Sequence, residues 1–369
     1  MKRLKLPALS RTRDWLLVAV ATYVIVQVLI YLEMIDAFWL PIVQLGAVMA
    51  IISLGLNLIY GFNGQFSLGQ YGFYALGAYT AADITYRLND ANQLHHVLNL
   101  GPLSFDWGQT VSFVAALVVA VLFSALVAFL FGLPVLKLGS DYLGIATLGF
   151  TMVVYVLANN SDTILGFQEM KGARGMVGIP QLTTWFWTFL FLVVTMVLVR
   201  NLVYSSPGRA IVSVREDETA AKAMGIDISR YKLLAFVIGS ALAGLAGGLY
   251  AHLYAFLHPS IFHFVKSFDP LIIVVFGGLG SMTGTVIAAF AWALLLQGLA
   301  VAVLPSNLLE WRYVLYAVSL IAVMLLRPQG LMGGRELGFL KNLRVVAQRK
   351  EPPVGAPAEP APEVTHASN

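Results

Sequence analysis

The segment 204–232, YSSPGRAIVSVREDETAAKAMGIDISRYK, is a charged, helix-compatible passage set between two long apolar runs. Arg209, Arg215, Glu216, Asp217, Glu218 and Lys222 crowd a window that cannot lie in hydrocarbon, where a single charge costs about 3 kcal/mol or more. Pro207 and Gly208 read as a helix start and Gly225 as a helix stop. A short helix with charges of both signs, anchored at each end to apolar helices, is suited to being gripped by a soluble partner. An ordinary basic loop between two spans would have a similar composition. The segment alone leaves both readings open, and its surroundings decide between them.

Those surroundings are overwhelmingly apolar. The chain has 369 residues, of which 59% are hydrophobic and 11% charged, and its mean hydropathy is +0.79. Soluble domains carry about 25% charged residues, so a soluble globule is excluded. Runs of around 20 apolar residues match the thickness of a bilayer core. The net charge of +4 is small. Its Lys and Arg residues sit beside apolar spans without interleaved aromatics, which gives no nucleic-acid surface. The absence of cysteine excludes disulfides, thiolate metal sites and thiol nucleophiles. Lys2, Arg3, Lys5, Arg11 and Arg13 precede the run 15–32, as in a signal peptide, but this run is longer than a signal core. Glu33, Met34, Ile35 and Asp36 follow it in place of a small-residue cleavage site, so an uncleaved first membrane helix is expected.

Hydropathy marks ten spans, at 15–32, 41–60, 68–86, 109–132, 142–160, 184–203, 232–256, 263–279, 283–304 and 311–326. Basic residues test this count, because they concentrate on the cytoplasmic side. Of 23, five lie in the N-terminal tail, six between Arg200 and Lys232, and six from Arg327 onward. All three clusters share one face only if six spans precede the charged segment and four follow it. Both termini and the loop 204–231 are then cytoplasmic, and the segments 87–108, 161–183, 257–262 and 305–310 face the other side. Arg87, Lys171 and Arg174 are exceptions there. The expected organisation is an N-terminal tail at 1–14, a membrane domain at 15–333 and a C-terminal tail at 334–369. The end of that tail, EPPVGAPAEPAPEVTHASN, has the composition of a disordered segment.

Two glycine-rich breaks interrupt the spans. The first, within GLNLIYGFNGQFSLGQYGFYALGAYTAA (55–82), carries Asn57, Asn63, Gln65, Ser67 and Gln70. Polar, irregular backbone at membrane depth is tolerated inside protein or beside a water-filled path, and transporters use broken helices to meet substrate. A tight turn with glycines for close packing fits equally well. Tyr71 stands among aromatics that suit either a path or plain packing. The second break, FGGLGSMTG (276–284), superficially resembles a dinucleotide fingerprint but lacks the strand and the acidic residue that would confirm it; a membrane turn is the better reading. Gly244, Gly247 and Gly248 in ALAGLAGGLY give the small-residue spacing of closely packed helices. Asp83 and Arg87, four residues apart, can pair on one helix face. No acid is stranded in mid-span, no metal-ligand spacing or nucleophile–base set stands out, and no phosphate-cradling G-x-x-x-x-G-K-[ST] is present. Any ATP that drives the protein must be bound by another subunit.

Five stretches, GLNLIYGFNGQFSLGQYGFYALGAYTA, DYLGIATLGF (141–150), SPGRAIVSVREDETAAKAMGIDISRYKLLAFVIGSALAGLAGGLYA (206–251), VVFGGLGSMTGTVIAA (274–289) and LLRPQGLMG (325–333), occur in an order that resembles the permease subunits of branched-chain amino acid ABC importers, in particular the LivM-like branch. The likeness runs from about Trp15 to Gly333. Lys171 in KGARGMVGIP, where such permeases usually have Thr, and the Pro-rich tail depart from the pattern. The resemblance implies an all-α, polytopic permease of ten helices in a bacterial inner membrane. It implies pairing with a second homologous permease and two cytoplasmic ATPases, supply by a periplasmic or lipid-anchored binding protein, and contact with membrane lipid. No catalytic residue, metal or cofactor is implied, ATP being bound by the partner subunits. Residues 206–226 would form the helix that couples to the ATPase, through Arg209, Arg215, Glu216, Asp217, Glu218 and Lys222, while Asn57, Gln65, Ser67 and Tyr71 are the candidates for the translocation pathway. Relatives of this kind handle Leu, Ile and Val, other amino acids, urea or amides. A secondary transporter or channel would call for a paired acid or base deep in a span, and a structural scaffold would not need glycine-broken spans.

Overall fold

A computed structural model describes residues 8–32, 36–90, 97–100, 103–136, 140–164, 170–299 and 330–332, with five further positions between 301 and 325. It is built almost entirely of helices: α1 (Ala8–Tyr31), α2 (Trp39–Leu56), α3 (Gln70–Asp90), α4 (Trp107–Val135), α5 (Ser140–Asn159), α6 (Trp185–Val203), α7 (Ser206–Glu216), α8 (Glu218–Ala223), α9 (Ile228–Tyr254), α10 (Phe268–Gly277) and α11 (Met282–Trp292). Helices α2 and α11 each continue as a wider π-helical turn, over Asn57–Phe62 and Ala293–Leu299.

Among the described residues, six helices are long and apolar enough to cross a membrane: Trp39–Phe62, Gly108–Val135, Tyr142–Asn159, Trp185–Val203, Ile228–Tyr254 and Met282–Leu299. They coincide with six of the ten expected spans. Helix α3 fills a seventh with 21 residues, enough for about 31 Å at 1.5 Å per residue, but its Gly, Tyr, Thr and Asp content makes it less apolar. The run 15–32 lies in α1, while most of 311–326 lies outside the described residues. At 263–279 the structure departs from a continuous span: a short 3₁₀ turn at Phe264–Ser267 leads into the ten-residue α10. Such a helix spans about 15 Å, half the hydrocarbon core. Pro270 explains the late start, since proline is tolerated in a first turn and disrupts a helix interior.

The 27-residue α9 packs against α2, α3 and α4. Apolar burial drives little of this within lipid, where close van der Waals contact takes its place. Glycine makes that contact possible. A Cβ on Gly77 would fall 2.1 Å from the carbonyl oxygen of Gly244, and one on Gly247 would fall 1.9 Å from that of Tyr74. The small-residue stripe of α9 is therefore a packing surface against α3. Within α3, Arg87 Nε donates to Asp83 at 3.0 Å, the local pair expected from their spacing.

Short strands mark one end of the bundle. Strands β1 (Val97–Leu100) and β2 (Leu103–Asp106) form a hairpin, and β3 (Met176–Val177) pairs antiparallel with β4 (Phe256–Leu257). The β3–β4 pair joins segments 161–183 and 257–262, which the charge pattern assigns to the same face. The opposite end gathers the first break, α7 with α8, the second break and residues 330–332, all of which the charge pattern assigns to the other face.

Candidate functional site

The first break begins where α2 widens. In the π turn Asn57–Phe62 the backbone register slips by one residue, and Gly64, at φ +75°, closes it. The N–H of Gly64 donates to Tyr60 and that of Gln65 to Ile59. Neither bond uses the carbonyl of Gly61. Arg215 takes it instead, donating from Nη1 at 2.6 Å. A helix end always leaves carbonyls that need outside donors, and here the donor comes from the charged segment.

Asn57 is fully buried and its amide is fully engaged. Its Nδ2 donates to the Ser281 carbonyl at 2.9 Å and to Thr285 Oγ1 at 3.0 Å, and its Oδ1 accepts the N–H of Gly280 at 2.9 Å. All three partners belong to the second break and the first turn of α11. That turn is capped by Ser281, whose Oγ accepts the N–H of Gly284 at 3.1 Å. Glycine at position 61 is obligatory, because a Cβ there would lie 1.8 Å from Asn57 Oδ1 and 2.6 Å from the Gly280 nitrogen. On the far side of the second break, the N–H groups of Leu331 and Met332 donate to the carbonyls of Phe276 and Gly277. The first break is also held by α5: the Leu68 N–H donates to Thr147 Oγ1, and Thr151 Oγ1 donates back to the Leu68 carbonyl. Four of the five sequence stretches singled out above therefore meet around residues 57–69, and the fifth joins them at the second break through Leu331 and Met332.

The four pathway candidates are brought together in this region and are buried. Gln65 accepts from Asn63 Nδ2 at 2.8 Å, and Ser67 Oγ accepts the N–H of Gly69 at 3.3 Å. Tyr71 directs its hydroxyl to Met49 Sδ at 3.9 Å. A fifth residue stands out beside them. Gln70, at the start of α3, is 1% exposed and neither atom of its amide has a hydrogen-bond partner. A buried amide with both atoms unsatisfied costs several kcal/mol unless something else meets it. Sequence shows Gln70 only as one polar residue among several.

The charged segment forms two helices where one was expected. Ser205 caps α7, accepting the N–H of Gly208 at 3.2 Å, and Ile211 and Val214 bury its apolar face. Asp217 then turns extended, at φ −158°, and caps α8 by accepting the N–H groups of Thr219 and Ala220 at 2.8 and 3.0 Å. An Asp side chain competing for backbone N–H groups is the physical reason for the interruption. Glu218 receives Lys232 Nζ at 2.5 Å. Arg209 Nη1 donates to the Tyr204 carbonyl at 3.4 Å. Glu216, Lys222 and Met224 face outward, Met224 being 82% exposed. That exposed methionine, two residues after Lys222, escapes a reading based on charge alone. Among the described residues, no three His, Asp or Glu side chains converge as a metal site would require.

Comparison with known proteins gives a consistent result. Residues 39–324 match the family described as branched-chain amino acid transport system / permease component. The high-affinity branched-chain amino acid transport system permease protein LivM of Escherichia coli K12 is 32% identical over 333 residues, covering 81% of this chain and 71% of that protein. Its counterpart from Salmonella typhimurium is 34% identical over 316 residues, covering 76% and 67%. LivH of Escherichia coli K12, named as a permease protein of the same system, is 26% identical over 311 residues, covering 80% and 94%. No solved structure matches the chain.

Proposed function

This chain belongs to the branched-chain amino acid transport permease family and is a multi-pass permease subunit of an ATP-binding-cassette importer, and from that premise we propose that its cargo is Leu, Ile and Val. It works beside a second permease related to it, with two cytoplasmic ATPases and a substrate-binding protein on the opposite face of a bacterial inner membrane. Its own role is translocation without catalysis. The observation that carries this reading is the placement of α7 against the π turn of the first break, with Arg215 reaching Gly61 and lying beside Gly280, while Glu216, Lys222 and Met224 of the α7–α8 segment stay exposed. A partner that grips this pair from the cytoplasm gains purchase on the part of the bundle least committed to regular helix.

ATP binding would bring the two ATPases together and move the docked helices. The permease pair then exchanges outward for inward access, two packed arrangements being biased by nucleotide and cargo. Selectivity resides mainly in the binding protein. The buried polar set of Gln65, Ser67 and Gln70, with Tyr71 alongside, would meet the cargo in one of the two arrangements, and Asn57 would hold the breaks that frame it.

The deciding experiment places the complete complex in proteoliposomes and measures entry of radiolabelled leucine with and without enclosed ATP. ATP-dependent entry that requires the binding protein is expected. Entry that persists without ATP would favour a secondary carrier. ATP-dependent entry of urea or short amides with exclusion of leucine would replace the proposed cargo.

A further inference from the structure

Arg215 differs from the other charged residues of α7 and α8. Its guanidinium reaches a carbonyl 154 positions away in the chain, that of Gly61, and its nearest acid is Glu216, at 3.6 Å and 68% exposed. Its side chain runs between the two breaks. A Cβ on Gly64 would lie 3.1 Å from Arg215 Cγ, and a Cβ on Gly280 would lie 3.3 Å from Nη1. The residue that receives it, Gly61, shares the π turn with Asn57. Asn57 in turn holds Gly280, Ser281 and Thr285.

We infer that Arg215 is a positioning residue, a strut that carries displacement of α7 to both helix breaks, in place of a contact with the ATPase. The inference rests on the reading of α7 and α8 as the docking element. Each link is short and directional: one charge-assisted hydrogen bond to Gly61, one six-residue turn, and three hydrogen bonds from a single amide. A shift of α7 therefore moves Gly61, and through Asn57 it moves the start of α11. A lysine would keep the charge and lose the planar fork that spans the gap. Spatial continuity alone does not demonstrate coupling, so the test must separate transmission from docking.

The complete complex carrying Arg215→Ala or Arg215→Lys is compared with the unsubstituted complex in three measurements: ATPase co-purification, ATP hydrolysis and cargo uptake in proteoliposomes. A strut predicts that the ATPases stay bound and hydrolysis continues, while uptake per ATP falls roughly tenfold, within the usual range of coupling free energies. Loss of ATPase binding, or proportional loss of hydrolysis and uptake, would make Arg215 a docking contact and overturn the inference. Unchanged uptake per ATP would overturn it as well. Hydrogen exchange on the unsubstituted complex gives a test that does not depend on variants folding. Peptides covering 61–66 and 277–285 should change protection together when a non-hydrolysable ATP analogue binds, and a change in one without the other would sink the strut. Failure of the unsubstituted complex to show ATP-dependent uptake would instead count against the functional reading.

Discussion

The Asn57 knot and the α7–α8 pair lie at the same end of the molecule and use polar groups in opposite ways. In the knot, each polar atom of one buried amide is tied to main chain or to Thr285, and glycine brings the backbones within reach. In α7 and α8, polar side chains mostly serve their own helix or face outward, leaving Glu216, Lys222 and Met224 on the surface. Inward polarity fixes where a membrane helix may break; outward polarity offers a surface to a partner. Arg215 belongs to the second region by sequence and to the first by geometry.

The largest effect is expected in the knot. Asn57→Leu leaves the part-buried N–H of Gly280 without its acceptor, at about 1–3 kcal/mol, and removes one of the donors to the Ser281 carbonyl, which keeps its bonds from Thr285. Thermal unfolding in detergent should show a strongly lowered midpoint or no folded protein. An unchanged midpoint would mean the knot holds nothing. Asp217 comes next. Asp217→Ala removes the α8 cap, worth about 1 kcal/mol, and uptake should fall severalfold, whereas Asp217→Asn keeps the cap and most of the uptake. Equal losses in both variants would show that the carboxylate charge matters more than the cap.

At the exposed pair, Met224→Ser should change stability by less than about 0.5 kcal/mol, as surface substitutions usually do. It should nevertheless weaken retention of the ATPases in a pull-down, and full retention would remove Met224 from the docking surface. The smallest effect is a change of rate. The chain has no cysteine of its own, so Ser67→Cys supplies a unique thiol at a site 1% exposed in this arrangement. Slow reaction with a small soluble thiol reagent, accelerated by nucleotide or cargo, is expected of a pathway residue. A rate independent of state, with transport surviving modification, would leave Ser67 as a turn residue.

Much of this arrangement is legible in the sequence because it depends on local spacing. The apolar runs, the small-residue stripe at Gly244–Gly248 and the Asp83–Arg87 pair each follow from the period of a single helix. The grouping of loops at two ends follows from charge. The half-length α10 was harder to see, since 263–279 is apolar enough to pass as a span and only Pro270 hints at a late start. Asp217 followed by Glu218 and Thr219 carries a capping signal, yet a charge-based reading merges it into one helix. Asn57 and Arg215 were legible as polar residues in telling places, but their partners lie 223 and 154 positions away, and no spacing rule spans such distances.

The β3–β4 pair at the opposite end has a consequence for how that face can diversify. Its link is made by main chain, so it places little demand on side-chain identity. Met176 and Leu257 point into the bundle and are fully buried, while their neighbours Val177 and Phe256 are 52% and 42% exposed. The inward pair anchors two loops to the helices, and the outward pair is displayed on a frame that substitution there leaves intact. Substitution at the outward positions can therefore change what that face displays, while the scaffold beneath stays the same.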